Sequence, residues 1–200
     1  MKLRSRLAVF GIYLLTAIMP AGAQAAPANM LVHIHPQEYT HSIKLWHYYF
    51  DYWFEQGPVV EPLALSMLSG AYGDVQMCSP GSEGRALLWI KPRMYYNPQM
   101  RVFYGEITAT AFNNKGEELA SYLGEASKAG FLDILPGKQV QTVYEMAMQD
   151  LLTKMREDQR LKALADSGES SADAAVVCAG FASHARPSTM DLNYFFKRIK

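Results

Sequence analysis

Residues 101–126 restrict the fold more than any other stretch of this chain. From 102 to 111 the residues alternate strictly, with Phe103, Gly105, Ile107, Ala109 and Ala111 on one side and Val102, Tyr104, Glu106, Thr108 and Thr110 on the other. A period of two marks a half-buried strand. Asn113-Asn114-Lys115-Gly116 supplies turn chemistry and residues 119–126 return, so the segment predicts a β-hairpin. Gly105, Ala109 and Ala111 on its apolar side are small, so a helix can lie close to it. A suitable helix follows: Pro136 fits a first turn, and Val140, Val143, Tyr144, Ala147, Leu151 and Met155 recur at three and four residues. Lys154, Arg156, Arg160 and Lys162 fall in its latter half, where cations favour the helix dipole, and the pattern fades near Ala165.

Other elements are read from shorter signals. Residues 26–37 form a leader into the domain, with a short strand around 30–35. In the stretch 41–54, seven of the nine places from 46 to 54 are Trp, Tyr or Phe, which predicts a strand. Alternation puts Ile43, Leu45, His47 and Tyr49 on one face and Lys44, Trp46, Tyr48 and Phe50 on the other, so both faces can be covered. Gly57-Pro58 ends that strand and residues 61–68 predict a short helix stopping at Ser69-Gly70. Strands follow at 74–78 and 85–95, the second holding Pro92, which points to an edge or a bulge. Residues 167–173 are a polar linker, 174–181 a short strand, and 188–200 a terminal helix with Leu192, Phe195, Phe196 and Ile199 on one side. Runs of strands with segregated helices indicate α+β. The expected architecture is a mostly antiparallel sheet with a long helix packed on one face, plus a disulfide-tethered C-terminal tail. The divisions are 1–25, 26–166 and 167–200.

The first 25 residues read as a secretory signal. Lys2, Arg4 and Arg6 precede an uncharged apolar run from 7 to 19, then Pro20 and small residues, with cleavage expected after Ala23 or Ala25. The run is shorter than the ~20 residues of a membrane-spanning helix. Removing it changes the charge balance: the chain has 19 basic and 19 acidic residues, but the other 175 residues carry 16 and 19, a net −3. Such a chain lacks the positive field that attracts nucleic acid. Export to the periplasm gives Cys78 and Cys178 a default meaning as a structural disulfide, the alternatives being two free thiols, a redox pair or a metal thiolate.

His33, His35 and His41 offer weak metal candidates, since two residues two apart on a strand share a face. Asp51, Glu55, Glu106 and Glu125 are the carboxylates for an acid–base reading, Asp51 and Glu55 because the aromatic run can desolvate them. Gly-x-Ser-x-Gly, a phosphate loop and Gly-x-Gly-x-x-Gly are absent from the sequence. The aromatic run itself reads first as core of a covered strand, and otherwise as a ligand platform of Trp46, Tyr49, Tyr52 and Trp53.

A stretch from Tyr49-Phe50-Asp51-Tyr52-Trp53 through Pro62-Leu63 to Leu68, then the arms Phe103-Tyr104-Gly105-Glu106-Ile107 and Gly124-Glu125-Ala126 and a long closing helix, resembles a group of small periplasmic proteins. These are the auxiliary lipoprotein components of Gram-negative ABC transporters and, more distantly, the lipopolysaccharide-assembly lipoprotein. The likeness covers roughly 40–160 as an order of elements. It departs from the group by lacking a lipid-bearing cysteine and by adding the tethered tail. Together these readings predict a non-catalytic binding or accessory protein of envelope assembly or transport, without a cofactor, whose partner is an envelope protein or an apolar or glycan ligand. Membrane contact through the basic end at Lys197, Arg198 and Lys200 is a weaker expectation. The alternatives are a small periplasmic hydrolase or isomerase using the carboxylates, and a metal-binding protein using the histidines.

Overall fold

A computed structural model describes residues 27–79 and 81–166, with Cys178 and Gly180. The expected signal, linker and terminal helix lie outside the described residues. The order is β1 (Ala28–Ile34), α1 (Pro36–Thr40), β2 (Ser42–His47), β3 (Phe50–Glu55), α2 (Gly57–Tyr72), β4 (Val75–Met77), β5 (Gly84–Asn97), β6 (Val102–Asn113), β7 (Glu118–Ala129), α3 (Pro136–Glu157) and α4 (Gln159–Asp166). Five strands form one sheet in the order β4-β1-β5-β6-β7, and β2 and β3 form a separate pair. The long ladders β5–β6 and β6–β7 are antiparallel, while β1 runs parallel to both β4 and β5. This is an α+β fold, as expected.

The hairpin and its helix are where the sequence puts them. At the β6–β7 turn, Asn113 Oδ1 accepts the backbone N–H groups of Lys115 and Glu117, both at 2.9 Å, and Gly116 takes a left-handed φ of 80°. Asparagine and glycine are thus used for the two things they do best in turns. On the sheet face below α3, Phe103, Ile107, Ala109 and Ala111 are fully buried. Val140, Val143, Tyr144, Ala147, Met148, Leu151, Leu152 and Met155 oppose them from the helix. A Cβ on Gly105 would come 2.7 Å from Val143 Cγ1, and one on Gly124 would meet the Ala147 carbonyl oxygen. The small residues therefore set how near the helix lies. Tyr144 donates to Gln56 Oε1 at 2.6 Å in the interior, tying α3 to the start of α2.

Several expectations are corrected. Residues 26–37 are no leader: β1 is an inner strand whose Met30, Leu31 and Val32 are wholly buried. The aromatic stretch is two strands joined by a turn at Tyr48-Tyr49 rather than one. The strand does end ahead of Gly57-Pro58, but the helix expected from 61 already starts there, because proline in a first turn gives up an N–H that has no partner there anyway. That helix runs on to Tyr72, where Gly73 closes it at φ 85°. The long helix stops at Glu157, and α4 restarts after Asp158. Cys178 and Gly180 have helical backbone, not the expected strand. Pro92 follows the last β1 partner of β5, Ile90, and so sits where β5 has lost that neighbour, in keeping with the edge reading. Cys78 and Cys178 are disulfide-bonded, Cα to Cα 5.8 Å.

Candidate functional site

The β2–β3 pair is a small ribbon seated by one face. Its register pairs Ile43 with Phe54, Lys44 with Trp53, Leu45 with Tyr52 and Trp46 with Asp51. Ile43, Leu45, Tyr52 and Phe54 thus form the inner face, and Leu45 and Phe54 join the main core. Tyr52 stacks on Phe54 with ring centroids 6.0 Å apart. Its hydroxyl lies beside the first turn of α3, where a Cβ on Gly137 would be 3.1 Å away. Lys44, Trp46, Asp51 and Trp53 make the outer face.

That outer face and the turn are open to solvent. Trp46 is 48 % exposed, Tyr48 59 %, Trp53 57 %, and Tyr49 at the turn 91 %. The reading of this stretch as a strand with both faces covered is overturned, since the ribbon's outer side carries no cover among the described residues. Lys44 Nζ holds Asp51 at 2.8 Å and stands 5.6 Å from the Trp53 ring centroid. Tyr48 meets Trp46 edge-on at 5.7 Å. An exposed ion pair contributes little to stability, but here it fixes a polar bar between two indoles. Fully burying a large apolar side chain contributes about 1.5–3 kcal/mol, and four large rings leave much of that unrealised. A cluster of this size marks an interaction surface more often than scattered apolar residues do.

Of the four residues predicted as a platform, Trp46, Tyr49 and Trp53 share the outer side and turn, while Tyr52 faces inward and is not with them. Tyr48 and Lys44 complete the set. Tyr48 was visible in the aromatic run, whereas Lys44 carried no sequence signal of its own. Beside the ribbon's seat, Pro58, Val59, Pro62 and Leu63 of α2 and Gly137 and Gln141 of α3 line a shallow open groove.

The carboxylates do not form one site. Asp51 and Glu55 are exposed, so the expected desolvation fails: the ribbon leaves their side to solvent. Glu106 is 7 % exposed on the main sheet and stands directly across from Glu125 on β7 and Arg93 on β5.

His33 and His35 are buried at the end of β1, ring centroids 6.4 Å apart, and His41 is exposed. Among the described residues no three His, Cys, Asp or Glu side chains are grouped to hold a metal ion. His35 Nδ1 accepts the Gln37 N–H and caps α1. Burial, and then the neighbouring His35, push the His33 imidazole down to about 4 from 6.5. An unfolded chain therefore binds a proton that the folded one refuses between those values, and stability is lost as the pH falls through that window. Lowering the pH from 6.5 to 4 is expected to cost the native protein about 3 kcal/mol more than it costs His33→Gln. Urea titrations at both pH values measure this, and equal losses in the two proteins contradict it. The variant comparison also removes the opposing effect of Glu38, whose carboxyl is raised by burial against the pull of Lys91 and Arg93.

No family model and no curated protein matches this chain. A solved structure from Caulobacter crescentus CB15, described as a "putative lipoprotein", is similar over 55 % of this chain and 83 % of its own, at 15 % identity and a TM-score of 0.32. Among the described residues, no helix is long and apolar enough to cross a membrane.

Proposed function

We propose that this is an exported, non-catalytic binding protein of the cell envelope, working in the periplasm, and that the β2–β3 ribbon is its capture surface. The observation that carries the reading is the exposure of Trp46, Tyr48, Tyr49 and Trp53 on a ribbon whose other face is anchored in the core. Aromatic rings give large contact area at little entropy cost, because only two torsions need be fixed, and they are enriched where interfaces hold their energy. The Lys44–Asp51 pair between the indoles adds polar groups that orient an incoming chain. The partner is an envelope protein or glycan chain, in assembly or transport. The Cys78–Cys178 bond suits an oxidising compartment, and the amino-terminal pattern of Lys2, Arg4, Arg6 and an apolar run suits export.

In-cell crosslinking followed by mass spectrometry tests the surface. Truncating two central anchors, Trp53→Ala with Tyr49→Ala, is expected to reduce partner capture by about tenfold or more, since each anchor contributes above 1 kcal/mol. Both side chains are exposed, so the melting temperature should stay within about 2 °C of the parent. Capture of the same partners at the same yield by the folded variant rules out the ribbon as the binding surface.

A further inference from the structure

β7 is the last strand of the five-stranded sheet, and among the described residues no strand lies beyond it. From residue 120 onward its outward backbone groups are those of the odd-numbered residues. Glu125 donates its N–H to Asp150 Oδ2 of α3 at 2.9 Å, and the Leu123 carbonyl accepts from Lys154 Nζ of α3 at 2.6 Å. The even-numbered Gly130, just past the strand, donates inward to the Arg101 carbonyl at 2.8 Å. An outer row of backbone groups is a template for another strand, and natural edges are blunted by lysine, proline or a bulge. β7 has its bulge near its start, where Ala111 pairs with Ala120 and Phe112 with Glu118, so that Leu119 is left over. The run 120–127 that follows holds one charge, Glu125, and no proline, and Lys128 comes only after it. The strand's own sequence therefore leaves its middle unguarded.

We propose that the Asp150–Lys154 pair is a clip that closes this edge, and that the surface it closes is a strand-addition site for the same edge of a second copy of the chain. The pair is made within one helical turn: Lys154 Nζ holds Asp150 Oδ2 at 2.7 Å, with the carboxylate ahead of the lysine, the favoured order on a helix. It thus presents one acceptor and one donor side by side, and these take the Glu125 N–H and the Leu123 carbonyl, two groups that an added strand would bond. Bonds to charged partners are the stronger kind, so a neutral backbone competes poorly for them. Gly124 lies between the two clipped residues. Because a Cβ there would meet the Ala147 carbonyl oxygen, its absence is what lets α3 come near enough for side chains one turn further on to reach the edge. A second copy is the occupant because it carries the same unguarded run. Two such edges laid antiparallel about a two-fold axis satisfy each other and close the interface. With Gly124 on the axis, Ser121 faces Ser127 and Leu123 faces Glu125, so no like charges stand opposite one another.

The test removes the clip with Asp150→Ala and Lys154→Ala, which keep helix propensity, and follows the oxidised protein by sedimentation equilibrium. Self-association is expected to strengthen by about tenfold or more over the parent, since two charge-assisted bonds no longer compete for the edge. Adding Ser121→Pro to the clip variant separates edge pairing from a loosened fold. The N–H it removes points outward, so the β6 ladder keeps its bonds, and the side chain gives up only a 3.3 Å hydroxyl contact with Thr110. A proline there blocks an incoming strand and is expected to return the mass to that of the parent, whereas association through partial unfolding would grow. A clip variant that associates no more than the parent, association that Ser121→Pro leaves in place, or a parent that already pairs and is made monomeric by Ser121→Pro overturns the proposal.

Discussion

Gly124→Ala is expected to destabilise the protein by about 3 kcal/mol, and Gly124→Val by more, although neither adds a polar atom or changes a charge. The cause is contact, not backbone conformation. A Cβ at Gly124 would meet the Ala147 carbonyl oxygen, Leu151 Cβ at 2.6 Å and the Leu151 nitrogen at 2.9 Å. Two of these are helix backbone, and a helix backbone cannot rotate aside as a side chain can. To admit one methyl group, α3 must lift from β7. It is held there by Val143, Ala147, Met148 and Leu151, all fully buried, and by the Tyr144 hydroxyl on Gln56. Gly70 is the internal control, since a Cβ there meets nothing within 4 Å on an exposed helical position. Gly70→Ala is expected to stabilise by about 0.5–1 kcal/mol through helix propensity alone. Urea unfolding at constant m-value reads both. A Gly124→Ala variant within 0.5 kcal/mol of the parent would show that the sheet and helix are not in contact as described.

The same packing explains which parts of the fold are legible in the sequence. β6, β7 and α3 are one-sided elements, so each carries the period of its own geometry, two for the strands and about 3.6 for the helix. β1 is different, lying between two parallel neighbours with both faces covered, and Met30-Leu31-Val32 shows no alternation to detect. For α2 the obstacle is proline, read as a stop at Pro58 where it serves as a start.

The candidate site fails in a more instructive way. Nothing from 46 to 54 is Gly, Asn or Pro, so the turn at Tyr48-Tyr49 gives no sign of itself. A missed turn does more than divide a strand. In one continuous strand Trp46 and Tyr52 share a side and Trp53 opposes them. In the ribbon Trp46 pairs with Asp51 and Lys44 with Trp53, so Trp46 and Trp53 share the outer face and Tyr52 turns inward. Residue type alone pointed to the right segment. The exposed set required the register.

Removing the disulfide, with Cys78→Ser and Cys178→Ser together, is expected to cost about 4 kcal/mol. The bond joins positions 100 residues apart, so it forbids the unfolded chain a very large loop's worth of conformations, and chain-entropy reasoning puts that near the top of the usual range. The native state also loses contact, because Cys178 is buried among Ala28, Leu31, Leu87 and Phe112. Cys78 stands at the end of β4, a strand of three residues whose last tie to β1 is the Cys78 N–H on the Val32 carbonyl at 2.8 Å. An edge strand that short gains little from pairing alone. The variant should therefore unfold at lower urea and with a larger m-value, since an untethered unfolded chain exposes more surface. Reductant should shift the parent toward the variant and leave the variant unmoved. If the double variant unfolds within about 1 kcal/mol of the oxidised parent, the closed loop of 100 residues does not carry the stability assigned to it.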